Sequence, residues 1–282
     1  MSEWGVRSDE GPDPVDRIPP ATRVEVRFED RDGGRVAFVT IHNQAKHNAL
    51  SNELMDEFVF AVTPLAVEED LRCVVVTGGG TRAFVSGADV DELAEIAFPA
   101  EARAFIGKVH ACCHLLRELP APVIARINGQ ALGAGLELAI SCDLRVAADT
   151  ARFGMPEVRL GVPSVVEAAL LPGIVGWSRA REMMLLGETF DATAALAMGL
   201  VDAAVPAGEL DAAVERRIAA LFAAGQNAVR LQKALMRRWE SLPLKDAILA
   251  GADVFGRAYL TDEPARAIAA WREARARLRA HR

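Results

Sequence analysis

The sequence is poor in the residues that mark several protein classes. Its 282 residues include four cysteines, five histidines and one tyrosine. The cysteines lack the paired spacing of a zinc site, and their apolar surroundings predict a reduced protein in which they pack in the core. These cysteines are Cys73, Cys112, Cys113 and Cys142.

Long hydrophobic runs and surplus positive charge are also missing. No uncharged apolar run is long enough to span a bilayer, and residues 1–20 lack the apolar segment of a signal peptide. Lysine and arginine total 32 against 39 acidic residues, a net charge of −7. This balance argues against a general nucleic-acid-binding protein or a basic membrane-surface protein. We expect a cytoplasmic protein with no nucleic-acid or membrane partner and with a mobile, proline-rich leader at residues 1–20.

Hydrophobic residues make up 51% of the chain, and their pattern predicts an α/β fold with strands early and helices late. Val24–Phe28 and Arg35–Ile41 are predicted strands joined by a Gly-Gly turn. Ser51 is predicted to cap a helix, and Leu71–Thr77 to form a buried strand. Further strands are predicted at Pro122–Ile127 and Leu144–Ala148, and helices at Ala102–Leu119, Ala131–Ser141, Ser178–Leu186, Ala192–Met198, Leu210–Ala224, Ala228–Glu240, Leu244–Tyr259 and Glu263–Arg279.

The stretch Gly129–Cys142 carries the strongest chemical signal, because Glu137 is its only charged residue. A lone carboxylate in an apolar helix is costly to bury unless it is paired or used. Small residues at Gly133 and Ala134 would let a ligand approach free backbone N–H groups at the helix start. The alternative is a structural carboxylate that complements the helix dipole or pairs with Arg145.

Two other segments carry groups that could act together with this helix. Glu157 follows a proline in a loop, and this segment by itself predicts only a solvated carboxylate. Paired with Glu137 in one apolar site, it would acquire a separate pKa, which allows one acid and one base. Gly87 and Ala88 offer a second backbone donor, and Asp89 a helix N-cap; an ordinary capped turn is the alternative.

Other chemistries are poorly supported. His110 and His114 have helical spacing but no acidic third ligand nearby, which favours a helix face over a metal site. Ser86, Ser141 and Ser164 lack the G-x-S-x-G context of a serine hydrolase. The phosphate-binding and dinucleotide-binding glycine patterns are missing as well.

Taken together, four segments resemble the crotonase superfamily, the enoyl-CoA hydratase/isomerase family. The resemblance runs from about residue 24 to about residue 275, and the order and spacing of the segments make it specific. The segments are Asn43–Leu50 (NQAKHNAL), Ala83–Leu93 (AFVSGADVDEL), Pro122–Cys142 (PVIARINGQALGAGLELAISC) with the following DLR, and Phe153–Gly161 (FGMPEVRLG).

The resemblance implies a crotonase-like spiral of repeated ββα units with a helical C-terminal trimerisation region. We place the spiral core at residues 21–205 and the helical region at residues 206–282. The implied ligand is an acyl-CoA thioester, with no redox cofactor or metal, and the implied assembly is a homotrimer or a dimer of trimers.

The resemblance also implies roles for single residues. The backbone N–H groups of Ala88 and Ala134 would form an oxyanion hole for the thioester carbonyl. Glu137 and Glu157 match the family's catalytic glutamates, which we assign as the base toward water and the proton donor at the α-carbon, respectively. Implied substrate-binding residues are Lys46, Asn48, Ala49, Gly87, Asp89, Gly133 and, in a neighbouring subunit's adenine pocket, Phe255.

This sequence departs from the family pattern at three places. Ala134 stands where glycine is frequent, which narrows the pocket. The segment from Val162 to Glu167 replaces a glycine-rich turn beside the acyl pocket, so the acyl group is not carried over from the family. Glu167 would add a third carboxylate near the site, although a surface charge at a helix end is the favoured interpretation. Ala274 stands where a CoA-contacting lysine is frequent.

The predicted activity is that of an enoyl-CoA hydratase, because both glutamates are present. A Δ3,Δ2-enoyl-CoA isomerase is the first alternative, since one glutamate would suffice to move a proton. A thioester hydrolase of the same family is another. A non-catalytic acyl-CoA-binding subunit is the alternative outside enzymes, because a fold alone does not fix function.

Overall fold

A computed structural model describes residues 22–280, so the expected leader at residues 1–20 lies outside the described residues. The strands are β1 (Arg23–Arg31), β2 (Gly34–His42), β3 (Leu71–Gly78), β4 (Ala83–Val85), β5 (Val123–Ile127), β6 (Gln130–Leu132), β7 (Leu144–Ala148), β8 (Arg152–Gly154), β9 (Thr189–Asp191) and β10 (Ala203–Val205). The α-helices are α1 (Asn52–Val62), α2 (Val90–Glu95), α3 (Pro99–Glu118), α4 (Ala134–Ile140), α5 (Leu171–Leu186), α6 (Ala192–Ala197), α7 (Leu210–Ala223), α8 (Gln226–Trp239), α9 (Leu244–Ala258) and α10 (Glu263–Ala280). Short 3₁₀ helices cover Gln44–Lys46, Thr63–Val67, Glu157–Leu160, Val166–Leu170 and Ala207–Glu209.

The strands form two sheets that wind together. The larger has the order β1-β2-β3-β5-β7-β10 and the smaller the order β4-β6-β8-β9. Each pair β3–β4, β5–β6 and β7–β8 sends one strand into each sheet and is followed by at least one helix. This repetition is the predicted spiral of ββα units, and the predicted fold class is confirmed.

The larger sheet is parallel except at its edge hairpin. β1 and β2 pair antiparallel, with Arg31 opposite Gly34, which confirms the hairpin predicted from the glycine pair. The other neighbours in this sheet, from β2 to β10, pair in parallel. Parallel strands need helical crossovers that cover both faces, so their side chains are buried on both sides.

Strand β3 shows how the two faces are covered. Its residues Val74 and Val76 point into the main core, which also holds helices α1, α3 and α4. Cys73 and Val75 point to the opposite face, where side chains of α7 such as Leu210 cover them. The valine-rich run therefore lies between two apolar layers. All four cysteines are free and buried, as expected for packing residues.

Three helix starts differ from the sequence prediction by three residues or more, and the first is that of α3, which begins at Pro99 instead of Ala102. The helix predicted at Ala131–Ser141 begins only at Ala134, because β6 takes the three residues before Gly133. Gly133 has φ +51°, a conformation that favours glycine and separates strand from helix. The helix predicted at Ser178–Leu186 extends back to Leu171 through a kink at Gly176.

Helices α8, α9 and α10 form the C-terminal end of the described chain. Lys233 on α8 is buried and anchors the helix to the core: its ammonium donates to the carbonyls of Leu116 and Ala121 and pairs with Asp143 at 2.7 Å.

The division of the chain into two regions at residue 205 stays a prediction. Within residues 22–280, no helix combines the length and apolarity needed to cross a bilayer, and the cytoplasmic location stays a prediction too.

Candidate active site

Two buried asparagines fix the loops that lead into the site. Asn48 donates to the carbonyls of Gly79 and Ala83, both at 2.9 Å, and accepts from the backbone N–H of Asn43. Asn128 donates to the carbonyls of Gly78, Gly80 and Ala83. The glycine turn after β3 is thus held from both sides. The side chain of Asn48 is occupied in shaping this loop, and a direct contact with substrate stays a prediction.

The first predicted oxyanion donor, Ala88, has a free N–H group. Leu50 forms a parallel bridge with Ala88, in which Leu50 donates to Gly87 and accepts from Asp89. In a parallel bridge the N–H of the central residue points away from its partner. Among residues 22–280 we find no acceptor for the Ala88 N–H group, which is therefore available to a ligand.

The second predicted donor, Ala134, is the first residue of α4. The first N–H groups of a helix have no acceptor within it and bind negative charge. A Cβ on Gly135 would collide with the carbonyl of Val85, so β4 lies directly against the first turn of α4. A Cβ on Gly87 would lie 3.4 Å from the carbonyl oxygen of Leu132. These two contacts bring the segments of Ala88 and Ala134 together.

Glu157 lies over the start of the same helix. A Cβ on Gly133 would collide with Glu157 Oε1, which places this carboxyl at the residue that precedes Ala134. The Ser164 hydroxyl donates to Glu157 Oε2 at 2.7 Å. Glu157 is half-buried at the start of a 3₁₀ helix. In the sequence Ser164 is a candidate only for a hydrolase nucleophile, and no local pattern predicts its contact with Glu157.

Glu137 is the buried carboxyl of the site. It lies one turn into α4 and is 2% exposed, and its Oε1 accepts a hydrogen bond from the N–H of Ala168 at 3.0 Å. Burial raises the pKa of Glu137 to about 8, and the charges of Glu157 and Glu167 act in the same direction. The structural pairing with Arg145 is wrong, because that guanidinium bonds to the carbonyls of Cys142 and Leu200.

Glu167 is buried as well, so its interpretation as a surface charge is wrong. It is 7% exposed on the 3₁₀ helix before α5, and its Oε1 lies 2.8 Å from Nδ1 of His110. His110 stacks on His114 with ring centroids 5.4 Å apart, as expected for a helix face. Among the described residues, no group of three or more potential metal ligands gathers here or elsewhere.

Lys46 lies beside the Ala88 segment. Its ammonium pairs with Asp89 at 2.7 Å and with Asp91 at 2.8 Å, and these two hydrogen bonds raise its pKa. Asp89 also caps α2, as the sequence predicts, by accepting from the N–H of Asp91. Lys46 keeps nearly half of its side chain exposed, so it can contact a ligand while remaining anchored.

The structure gathers most of the predicted site residues at one place. Ala49 belongs to the Asn43–Leu50 loop, where its carbonyl accepts from Asn43. Phe255 is different, because it lies on α9, which packs on α8, and is 68% exposed. The predicted role of Phe255 in a neighbouring subunit's adenine pocket stays a prediction.

The raised pKa of Glu137 bears on the predicted roles of the two glutamates. The raised pKa of Glu137 means that the empty site holds a proton there at pH 7. The assignment of Glu137 as the base stays a prediction, and the empty site alone favours it as the proton holder.

We expect Glu137→Gln to stabilise the protein at pH 8. Because burial raises its pKa from an ordinary 4.5 to about 8, the folded protein holds a proton that the unfolded chain releases across this interval. The free energy of unfolding of the wild type therefore falls as pH rises through that window, by up to about 5 kcal/mol from this group. Glutamine keeps the acceptor for Ala168 and does not titrate.

Urea unfolding of both proteins at pH 5 and pH 8 measures this effect. The variant should gain stability relative to the wild type at pH 8 and show little difference at pH 5. An equal difference at both pH values would show that Glu137 has an ordinary pKa in the folded protein.

Comparisons with known proteins identify the family of this chain. The family model for enoyl-CoA hydratase/isomerase matches residues 31–278. The short-chain-enoyl-CoA hydratase of Clostridium acetobutylicum is 32% identical over 86% of this chain and 93% of its own length. The crotonyl-CoA hydratase of Syntrophomonas wolfei is 33% identical with the same coverage.

Solved structures give the same result. The crystal structure of an enoyl-CoA hydratase from Bacillus anthracis superposes with a TM-score of 0.84 and 28% identity, over 89% of this chain and 96% of that one. An enoyl-CoA hydratase from Mycobacterium smegmatis superposes with a TM-score of 0.83. The resemblance found in the sequence is confirmed, and the chain belongs to the enoyl-CoA hydratase/isomerase family.

Proposed function

We propose that the protein is an enoyl-CoA hydratase, which adds water across the 2,3-double bond of a 2-enoyl-CoA thioester. The proposal depends on two carboxyls at the start of α4: Glu137 lies in this helix, and Glu157 reaches it from the 3₁₀ helix that follows β8. The free N–H groups of Ala88 and Ala134 lie at the same place. Acyl-CoA thioesters are the substrate class consistent with the family. The hydratase activity rests on the presence of both carboxyls.

The two N–H groups stabilise the charge that develops on the substrate. When water attacks C3, the electrons of the double bond move toward the thioester oxygen and form an enolate. Ala88 and Ala134 hold donors in place for that oxygen without reorganisation. Each such donor contributes about 3–4 kcal/mol to lowering the barrier in comparable sites. The helix dipole of α4 acts in the same direction.

The two carboxyls carry out the two proton transfers of the reaction. The ionised carboxyl of the pair takes a proton from the attacking water, and the protonated carboxyl gives its proton to the α-carbon. The pair then holds one proton again, so the site returns to its initial state. The Ser164 hydroxyl holds the Glu157 carboxyl, and the Ala168 N–H holds that of Glu137.

Crotonyl-CoA tests the proposal directly. Hydration removes the absorbance of the conjugated enoyl thioester and yields 3-hydroxybutyryl-CoA, which in ¹⁸O-labelled water carries one labelled hydroxyl oxygen. Isomerisation of a 3-enoyl-CoA without label would instead indicate the isomerase, and release of free thiol the hydrolase. Binding of CoA esters with no turnover on short, longer, branched or aromatic chains would indicate a binding subunit.

We also propose that the protein assembles as a homotrimer or a dimer of trimers through its C-terminal helices. Helix α9 and the residues after it expose a run of large apolar side chains that a second copy would cover. The side chains are Leu244, Ile248, Leu249, Phe255, Tyr259 and Leu260.

Replacing Ile248 by glutamate is expected to dissociate this assembly. Ile248 is 67% exposed, so the substitution costs little within one chain, whereas it would bury a charge in an interface. Light scattering after size-exclusion chromatography should give three or six times 30.3 kDa for the wild type and a lower mass for the variant. A wild-type mass of one chain would contradict the proposal.

A further inference from the structure

Within residues 22–280, the carboxyl of Glu167 has one hydrogen-bond partner, the ring of His110 on α3. Nδ1 of His110 lies 2.8 Å from Glu167 Oε1, whereas Oε2 of the same carboxyl is buried without a partner in the described chain. Glu167 is 7% exposed, and about half of the His110 side chain is exposed. A buried carboxyl that loses its last partner is strongly destabilised unless the chain around it rearranges to hydrate it. The place of Glu167 therefore depends on this one ring nitrogen.

The segment that carries Glu167 also holds the carboxyl of Glu137. In the 3₁₀ helix Val166–Leu170, the backbone nitrogen of Ala168 lies 3.0 Å from Glu137 Oε1. The same nitrogen lies 2.9 Å from the carbonyl oxygen of Val165, in its own turn. A small shift of this segment would take the donor away from Glu137 without leaving the N–H group unpaired. The exact position of the segment therefore decides whether Glu137 is held.

The backbone shows that this position is enforced by its surroundings. Val166 has φ +41°, a left-handed conformation that is rare for a β-branched residue and persists only where neighbouring contacts hold it. The next residue, Glu167, ties the segment to α3 through His110. Cys113 lies about one turn after His110 on α3, which packs against both this segment and α4. Burial raises the pKa of the Cys113 thiol, and the charges of Glu167 and Glu137 raise it further, so this part of α3 lies close to both carboxyls.

We propose that His110 is a positioning residue for Glu137, which it holds in place through Glu167 and the N–H group of Ala168. This role rests on the proposed function, in which the Glu137 carboxyl exchanges a proton during the addition of water. His110 makes no hydrogen bond with Glu137 itself. Its contact with Glu167 fixes the 3₁₀ segment, and the segment fixes the carboxyl oxygen that accepts from Ala168.

Hydration of crotonyl-CoA by His110→Leu, His110→Asn and the control His114→Leu tests this role. Leucine is a good helix former and suits a half-exposed position, so the fold should be kept, but it has no polar atom for Glu167. We expect kcat to fall about 10-fold with little change in KM, because one hydrogen bond that aligns a reacting group is lost. Asparagine carries its amide nitrogen as many bonds from Cα as Nδ1 of histidine, and it should restore most of kcat. His114 stacks on His110 and makes no hydrogen bond with Glu167, so His114→Leu should keep the wild-type kcat.

A double variant tests the route through Glu167. In the Glu167→Leu background, His110→Leu should change kcat by less than about 2-fold, because the pair is already broken. A full 10-fold loss in that background would overturn the proposal. So would an unchanged kcat in His110→Leu, or a loss that asparagine does not restore.

Infrared spectra of the free protein test the same contact without substrate. Because the pKa of Glu137 is about 8, its carboxyl is protonated at pH 7 and gives a C=O stretching band that Glu137→Gln lacks. A hydrogen bond to the carbonyl oxygen lowers the frequency of this band, so His110→Leu should move it to higher frequency, whereas His110→Asn and His114→Leu should not. An unmoved band in His110→Leu would overturn the proposal. A wild type that does not hydrate crotonyl-CoA would contradict the proposed function instead, and the infrared comparison would still decide whether His110 holds Glu137.

Discussion

Glu137→Gln and Glu157→Gln are each expected to lower kcat for crotonyl-CoA hydration by about 10²- to 10⁴-fold, the usual contribution of a positioned acid or base. Glutamine keeps the size of each side chain and its acceptor oxygen, so the contacts from Ala168 and Ser164 survive. What is lost is the ability to exchange a proton. KM should change little, because neither carboxyl is needed to hold the CoA part of the substrate.

The initial rate of absorbance loss measures both variants. Glu209→Gln is a matched control, since Glu209 is an exposed glutamate before α7 and touches none of the site. The double variant should be little slower than either single one, because the two proton transfers belong to one addition of water and the loss of either transfer already blocks it. Full activity in either single variant would remove that carboxyl from the mechanism.

Local sequence signals were sufficient for the framework of this site. The glycine pair between two alternating runs fixed the hairpin, and the valine-rich run identified β3 as a strand covered on both faces. Glu137 was identified as a candidate because a single charge in an apolar helix is costly to bury unless it is paired or used. In each case the signal lies within one short segment.

The remaining features depend on contacts between distant segments. Strands β4, β6, β8 and β9 have three residues each, too few to show a period of two. Glu167 was interpreted as a surface charge because nothing in its neighbours indicates that the chain turns at Val166 and buries it against His110. The bond between Ser164 and Glu157 is a loop contact, for which no sequence pattern exists.

The protonation state of Glu137 also depends on contacts between distant segments. The apolar neighbours of Glu137 predict burial and a shifted pKa, but the extent of the burial, which raises the pKa to about 8, is set by contacts with distant segments. The fold therefore determines where the resting proton lies.

Gly135→Ala should reduce activity by at least about 10²-fold, the cost of losing an oxyanion donor, and should also destabilise the fold. A Cβ at this position meets the carbonyl of Val85, a backbone atom that cannot rotate away. Either α4 or β4 must shift, which displaces Ala134 or the strand that leads to Ala88. Overpacking of this kind typically costs about 1–3 kcal/mol.

Gly107→Ala is the control that separates this contact from helix propensity. Gly107 lies in α3, and a Cβ there meets nothing within 4 Å. Alanine favours a helix over glycine by about 1 kcal/mol, so the same substitution should stabilise the protein at Gly107 and destabilise it at Gly135. Urea unfolding and crotonyl-CoA turnover measure both variants. If Gly135→Ala were as active and as stable as Gly107→Ala, the helix start would not need the close approach of β4, and the backbone oxyanion hole would lose its structural basis.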